Sequence, residues 1–388
     1  MKALRHTLRR ALLRGPLLRH WTRRRARQLE AAYLGHLRRE AAAPTPADPP
    51  LPRPLPHAPP QPLRRILFIG DCMWEPGELF PELRRLADLD CLDLRPRLGA
   101  ARPGEAAAAV VQALEQFTPP GGEPDLILFY ARPSLLSDAA FDVLRRRWKC
   151  PLLGMNLDDR VEFFPYGIYA SGDDDYGRWA PRFDLNLTSA QAALDWYRRR
   201  GAAVRYLPPG FHADPACAEP PASAEFAYPF SWVGSWKLER AAIVDRLRGA
   251  GIDLRLFGRG WPDSQWVDSP ARVFRSSQIN LGIGLALAGD AMTTTKARDF
   301  ECPGAGACYL TTYHWELAGH FEVGREILLY RSVEELIELH GHYARRPAEC
   351  LRIAQAAHRR CRAEHTWEQR FRGLFAELGF QPAVHRTP

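Results

Sequence analysis

The chain has 388 residues, 46% hydrophobic and 25% charged, which suits two ordinary cores with appendages and excludes a fibrous or largely disordered protein. Its net charge of +8 is lopsided: residues 1–40 hold 12 Lys/Arg against two Glu, which is +10 and leaves −2 on the rest, so a chain-wide nucleic-acid surface is excluded and no nucleic-acid partner is expected. No apolar run reaches the roughly 18 residues of a membrane span, and the eight cysteines form no Cys-x-x-Cys pair, so reduced thiols in a cytoplasmic protein are expected rather than a disulfide frame.

Residues 1–42 read as a basic helical tail. Leu4, Leu8 and Leu12 repeat at helical spacing with Arg5, Arg9 and Arg10 between them, and Gly15-Pro16 should break the run. A second run carries Trp21, Leu29, Tyr33 and Leu37 among Arg23, Arg24, Arg25 and Arg27. Arginine throughout and no long apolar centre argue against a secretory signal. Such a tail either lies on an anionic membrane, placing the protein peripherally on its inner face, or is a solvated or docked helix. Residues 43–63 are a Pro-rich linker of extended character.

From 64 to 210 strand and helix alternate. Ile66–Ile69, Leu89–Leu94, Asp125–Tyr130, Pro151–Asn156, Phe183–Thr188 and Val204–Leu207 are apolar enough for buried parallel strands. Helices are expected over Gly104–Phe117, Ser137–Arg147 and Ala190–Arg200. Residues 211–227, after Pro208-Pro209-Gly210, read as a hinge. The rhythm resumes over 228–365 with a strand ending at Gly234-Ser235, a helix Leu238–Gly249, a strand ending at Phe257-Gly258, and strands at Ser277–Ile283, Tyr309 and Ile327. Residues 366–388 form a closing helix and tail. The fold class is therefore α/β with parallel sheets covered on both faces. Neither half has a Gly-x-Gly-x-x-Gly fingerprint or a Walker loop, and Gly-x-Ser-x-Gly is absent.

The richest segment is Lys296-Ala-Arg298-Asp-Phe-Glu301-Cys-Pro-Gly304-Ala-Gly306. Two cations and a carboxylate precede a small-residue elbow and an apolar strand. Lys296 and Arg298 suit a diphosphate, and Glu301 suits ribose hydroxyls. Gly234-Ser235 lets backbone N–H groups approach a phosphate, and Gly258-Arg259-Gly260-Trp261 adds a cation and an aromatic ring for a base or for the core. Arg240 lies on the helix after Gly234.

On the cations and glutamate of that segment, on Phe321-Glu-Val-Gly-Arg-Glu326 and on His365-Thr-Trp-Glu-Gln-Arg370, the chain resembles glycosyltransferases of GT-B architecture, of the CgeB-like (spore-maturation-protein-type) branch. The resemblance is strongest over 228–375. It implies two Rossmann-like domains facing across a cleft, and a closing helix that returns to the first domain. It also implies a nucleoside-diphosphate-sugar donor on the second domain and an acceptor hydroxyl of a glycan, lipid or protein on the first. The donor residues it implies are Gly234, Ser235, Arg259, Lys296, Arg298, Glu301, Gly304 and Gly306. Asp158 and Asp159, at the end of the fourth strand, become candidates for the base that deprotonates the acceptor, although Arg160 replaces the proline common there; a helix cap or ion pair is the competing reading. Gly70, Asp71, Gly210 and His212 would face the cleft. No cofactor is expected, because fixed cations can hold the departing diphosphate without a metal. Asp173-Asp174-Asp175 reads as a polar turn rather than a metal site, and His340 and His342 as surface side chains. Many retaining enzymes of this architecture carry a second glutamate eight positions before the one matched by Glu301, where this chain has Thr293. Two other functions fit the same scaffold: a nucleotide-sugar epimerase or hydrolase, and a non-catalytic binding module.

Overall fold

The structure, a computed structural model, describes residues 61–100, 105–130, 132–164, 175–265, 267, 269–284 and 295–382, with isolated positions 31 and 35. The rest of the basic tail, the Pro-rich run to 60, Asp173, Asp174 and Thr293 lie outside these. The chain divides into two units, Glu40–Ala213 with Ala363–Pro388, and Asp214–Arg362.

In the first unit six strands make one parallel sheet: β2 (Arg65–Gly70), β3 (Asp88–Asp93), β4 (Leu126–Tyr130), β5 (Leu152–Asn156), β6 (Leu185–Thr188) and β7 (Val204–Tyr206). Its order is β3-β2-β4-β5-β6-β7. All five pairings are parallel, as near-continuous apolar runs covered on both faces require. The chain adds β3 on one side of β2 and then reverses to the other, so the topological switch lies between β2 and β4. Helix Trp367–Glu377 belongs to this unit, burying Trp367, Phe371 and Phe375 in the cluster that holds Phe68 and Phe80. Its start is fixed by a capping box between Thr366 and Gln369.

The expected linker is shorter than its 43–63 reading. Gln61–Leu63 is a strand, β1, paired in parallel with β13 (Phe380–Pro382), and Leu63 is fully buried. Each strand carries a proline, which the free edge of a two-stranded ribbon tolerates. Short helices not expected from the sequence span Glu75–Glu78 and Phe80–Arg84; each has proline in its first turn and spans about one turn.

The second unit holds β8 (Tyr228–Val233), β9 (Arg255–Phe257), β10 (Ser277–Leu281), β11 (Tyr309–Thr312) and β12 (Leu328–Tyr330), in the order β12-β11-β10-β8-β9 and again all parallel. Both sheets thus share one winding, and here the switch lies between β8 and β10. The core is built on Trp232, Leu247, Leu256, Ile279 and Leu310. The expected hinge is not loose in its second half. Gln355 donates to the Pro221 carbonyl at 2.9 Å, Arg275 to Glu219 at 2.8 Å, and a His358 ring nitrogen lies 3.1 Å from the Ala218 carbonyl oxygen. Residues 211–213 belong instead to the first unit, where Ala213 N donates to Glu82 at 3.3 Å.

Candidate functional site

In open α/β sheets ligands bind outside the carboxyl ends of the strands, at the switch point. In the second unit that place is the end of β8, where three separate loops converge. Gly234 N donates to Phe257 O at 2.8 Å, joining the β8 and β9 ends. Gly258 has φ +113°, and a Cβ there would sit 2.6 Å from Gly234 O, so only glycine allows this approach. The Arg298 guanidinium donates to Val233 O, and its Nη1 would lie 3.2 Å from a Cβ on Gly234. Arg298 Nε is buried and has no hydrogen-bond partner. Arg240 donates to Ser235 O at 3.1 Å and lies over the Trp232 ring. Ser235 and Arg259 are exposed beside this junction. Trp261 fills the core: it is buried, packs edge-on to Trp232 at 5.1 Å and donates Nε1–H to Gly234 O at 2.8 Å.

Helix Arg298–Gly304 starts at this edge. Asp299, a residue sequence reasoning passed over, accepts from Lys296 N at 2.7 Å and from the Tyr309 hydroxyl at 3.0 Å. Burial raises its pKa to about 6. It therefore shapes the turn that presents Lys296 and Arg298. Glu301 is half-buried; burial pushes its carboxyl up, and the Arg298 charge opposes that push. A hydroxyl chain supports the other side of the switch: Tyr330 donates to Gly282 O at 2.8 Å, Thr312 to Tyr330 at 3.2 Å, and Gly284 N to Thr312 at 3.2 Å.

Gly304 and Gly306 are not part of this junction. The helix runs away from the carboxyl edge for seven residues, about 10 Å at 1.5 Å each, so its end lies at the opposite edge, before β11 begins. There the Gly304 carbonyl faces a His358 ring nitrogen at 2.9 Å. Gly306 has φ +84°, and a Cβ would meet Pro221 at 2.8 Å. Both glycines end a helix.

In the first unit the switch point is the Gly70–Tyr130 pair. A Cβ on Gly70 would lie 2.8 Å from Tyr130 O, so this glycine serves strand packing. Asp71 pairs with Arg132 at 2.8 Å. Glu75, also missed, is 1% exposed and accepts from Met73 N at 2.7 Å and Trp74 N at 2.9 Å; burial raises its pKa. Burial, with the charges of Asp158, Glu75 and Glu162 added, drives the Tyr130 hydroxyl well above its usual range.

The two aspartates after β5 part company. Asp159 is 1% exposed, accepts from Tyr197 OH at 2.6 Å and from the Thr188 hydroxyl, and is raised to about 7 by burial. A carboxylate so enclosed cannot reach an acceptor, and Asp159 is structural. Asp158, at the cap position of helix Asp159–Glu162, makes no side-chain cap bond and is half-buried at the strand-end surface. Gly210 and His212 are likewise structural. A Cβ on Gly210 would meet Trp367 N at 2.7 Å, and His212 Nδ1 lies 2.8 Å from Glu82.

Asp175 caps helix Tyr176–Trp179, accepting from Arg178 N at 2.6 Å. His340 packs on Phe230 at 4.6 Å, whereas His342 lies 3.7 Å from Glu349, so the two do not converge. No group of three or more His, Cys, Asp or Glu side chains that could hold a metal occurs among the described residues, nor does a helix long and apolar enough to cross a membrane.

Three comparisons bear on this geometry. Residues 240–376 match the model of a family described as glycosyl transferase-like. A search of the curated proteins finds no match. Among solved structures, sucrose-phosphate synthase from Thermosynechococcus elongatus is 13% identical with a TM-score of 0.55, covering 81% of this chain and 100% of that one. HepE from Anabaena, solved in complex with UDP-glucose, is 14% identical with a TM-score of 0.52, covering 81% and 98%. The fold is thus GT-B, two Rossmann-like α/β units, and residues 240–376 carry its glycosyl transferase-like match.

Proposed function

We propose that the protein transfers a sugar from a nucleoside-diphosphate sugar to an acceptor hydroxyl. The observation that carries this reading is the junction at the end of β8, where Gly234 is bracketed by Gly258 and by the Arg298 guanidinium. A strand end cleared of side chains by glycine and a fixed cation at a switch point suit a diphosphate. The family match over 240–376 and the UDP-glucose held by HepE on the same fold make a nucleotide sugar the donor to test first. The finer kinship with the CgeB-like branch rests on Lys296, Arg298 and Glu301 in their spacing before the elbow.

In this reading Arg298, Lys296 and Arg259 offset the charge that develops on the departing diphosphate, and Ser235 adds a hydroxyl beside them. Glu301 accepts from donor hydroxyls. Asp158 takes the acceptor proton in place of the enclosed Asp159. Three cations serve where a divalent metal would otherwise stand, so the reaction is metal-independent and survives a chelator.

A panel of nucleotide sugars screened by thermal shift, followed by turnover with and without candidate acceptors, tests the proposal. One donor should raise the melting temperature, and its sugar should leave only when an acceptor hydroxyl is present. Release without acceptor would favour a hydrolase or epimerase. In Glu301→Gln and Lys296→Ala, donor affinity should fall by about 10–150-fold, the equivalent of about 1.5–3 kcal/mol for a charged hydrogen bond. Unchanged affinity in both variants would remove these residues from the donor site.

A further inference from the structure

Two thiols away from the donor site lie close enough to react with each other. Cys91 is in the middle of β3, opposite Phe68 of β2. Cys72 lies two residues beyond the end of β2, folded back so that the two sulfur atoms are 3.4 Å apart. The Cys72 backbone is fixed by donation to Asp93 at 3.2 Å, and its sulfur lies 3.7 Å from Gly70 O. Cys72 is 2% exposed, whereas Cys91 is half-buried. The pair is chemically unequal. The hydrogen bond between the two sulfurs, with the nearby Arg84 charge, holds Cys91 down; the same bond, together with burial, pushes Cys72 up. Cys91, the more exposed sulfur, is therefore the one an outside reagent meets first, and Cys72 is the thiol held in reserve behind it.

We propose that Cys72 and Cys91 form a reversible dithiol–disulfide site whose oxidant is a low-molecular-weight disulfide such as oxidised glutathione. The Cys91 thiolate attacks one sulfur of that disulfide; its S–S bond breaks and one glutathione thiolate leaves, to be protonated by solvent. Cys72 then loses its proton to water and attacks the Cys91 sulfur, and the second glutathione thiolate departs. Two protein thiols are oxidised by two electrons, and one glutathione disulfide is reduced to two thiols. A disulfide bond is about 2.05 Å long, so the sulfurs close by about 1.4 Å. The turn after β2 has room to follow, since its next residue, Met73, is 72% exposed. The bond would tie the turn that carries Asp71 and Glu75 to β3. The second neighbouring pair, Cys308 and Cys350, is 2% and 0% exposed and has no comparable access for an oxidant.

The full chain, equilibrated in glutathione buffers of rising oxidised fraction, quenched, alkylated and peptide-mapped by mass spectrometry, tests this. Most molecules should carry a Cys72–Cys91 disulfide in a buffer that leaves Cys150 alkylated, and dithiothreitol should restore both thiols. In Cys72→Ser the reaction should stop at a glutathione adduct on Cys91. Full alkylation of both cysteines at every ratio would overturn the proposal, as would wild type halting at the adduct or a Cys308–Cys350 bond forming first. The wild-type map decides the matter alone if the variant does not fold.

Discussion

The two sheets wind in the same order, yet their switch points are furnished in opposite ways. At the end of β8 the second unit uses glycine, backbone and the half-buried Arg298. At the ends of β2, β4 and β5 the first unit gathers carboxylates and a tyrosine, and it consumes most of them internally: Glu75 holds its own turn, Asp71 holds Arg132, and Asp159 holds Tyr197 and Thr188. The same topology therefore yields an edge framed by glycine and arginine in one unit and an acidic, largely self-satisfied edge in the other. The transfer proposed above would draw on Arg298 in the first case and on Asp158 in the second.

The largest effect that can break this contrast concerns Asp159. Its pKa is raised from 3.8 to about 7, so the folded state binds the proton more tightly than the unfolded one. Stability from this group is fully present below pH 3.8 and is lost as pH rises to about 7. The loss is on the order of 4 kcal/mol for about three pH units. Asp159→Asn keeps an oxygen for Tyr197 and removes the titration. Its denaturation free energy should be flatter than wild type between pH 4 and 7, with transfer activity retained. An activity loss of a hundredfold or more, with the fold intact, would return Asp159 to the role of base.

How much of this was legible depends on what each residue touches. The strands were legible, because runs such as Ile66–Ile69 and Leu126–Tyr130 are apolar throughout and suit burial on both faces. Gln61–Leu63 and Phe380–Pro382 were not, because neither has a pattern of its own and each is a strand only by pairing with the other. At the site, Gly234, Arg298 and the Gly258 turn could be read from cations and glycines after strand ends. Gly304 and Gly306 were misplaced because nearness in sequence hid the length of the helix separating them from Lys296. Asp158 and Asp159 are adjacent, and only the packing of Tyr197 and Thr188 decides which one points inward. Asp299 carried a signal, a carboxylate three residues after Lys296 and so able to cap that turn, but its burial depends on Tyr309 from the next strand.

Gly258→Ala sharpens the other side of the comparison. A positive φ and a Cβ 2.6 Å from Gly234 O combine backbone strain with a clash against main chain that cannot swing aside. The strain alone costs about 1–3 kcal/mol, to be read from chemical denaturation. Donor affinity should fall with it. Gly251→Ala is the control, because its φ is also positive but no atom lies within 4 Å of the new Cβ. Equal losses in the two variants would mean that the approach of the β8 and β9 loops contributes nothing.

Next comes Arg298→Lys, which keeps the charge but not the planar fork that reaches Val233 O. Donor affinity should drop by roughly tenfold or more, about 1.5–3 kcal/mol for a lost charged hydrogen bond. Asp158→Asn should lower the transfer rate and leave donor affinity unchanged. If isothermal titration shows both variants weakening the donor equally, the two edges do not divide the work as proposed.

The smallest effect on fold and donor binding should come from removing the basic tail. A chain beginning at residue 58 retains Gln61–Leu63 and its pairing with Phe380–Pro382, whereas a start at 64 would delete that strand and the fully buried Leu63. The longer version should match the full chain in donor affinity and in the midpoint of urea unfolding. The shorter one should lose stability, by about 1.5–3 kcal/mol for the buried leucine. The proposed role of the tail lies elsewhere: +10 on residues 1–40 attracts anionic lipid at about 1 kcal/mol per basic residue near the surface. The full chain should therefore sediment with phosphatidylserine vesicles at low salt and release at about 1 M, where the screening length shrinks to about 3 Å. The chain beginning at 58 should stay in the supernatant throughout. Sedimentation of both would move the membrane contact onto the globular units, and sedimentation of neither would leave an acidic protein as the partner to seek.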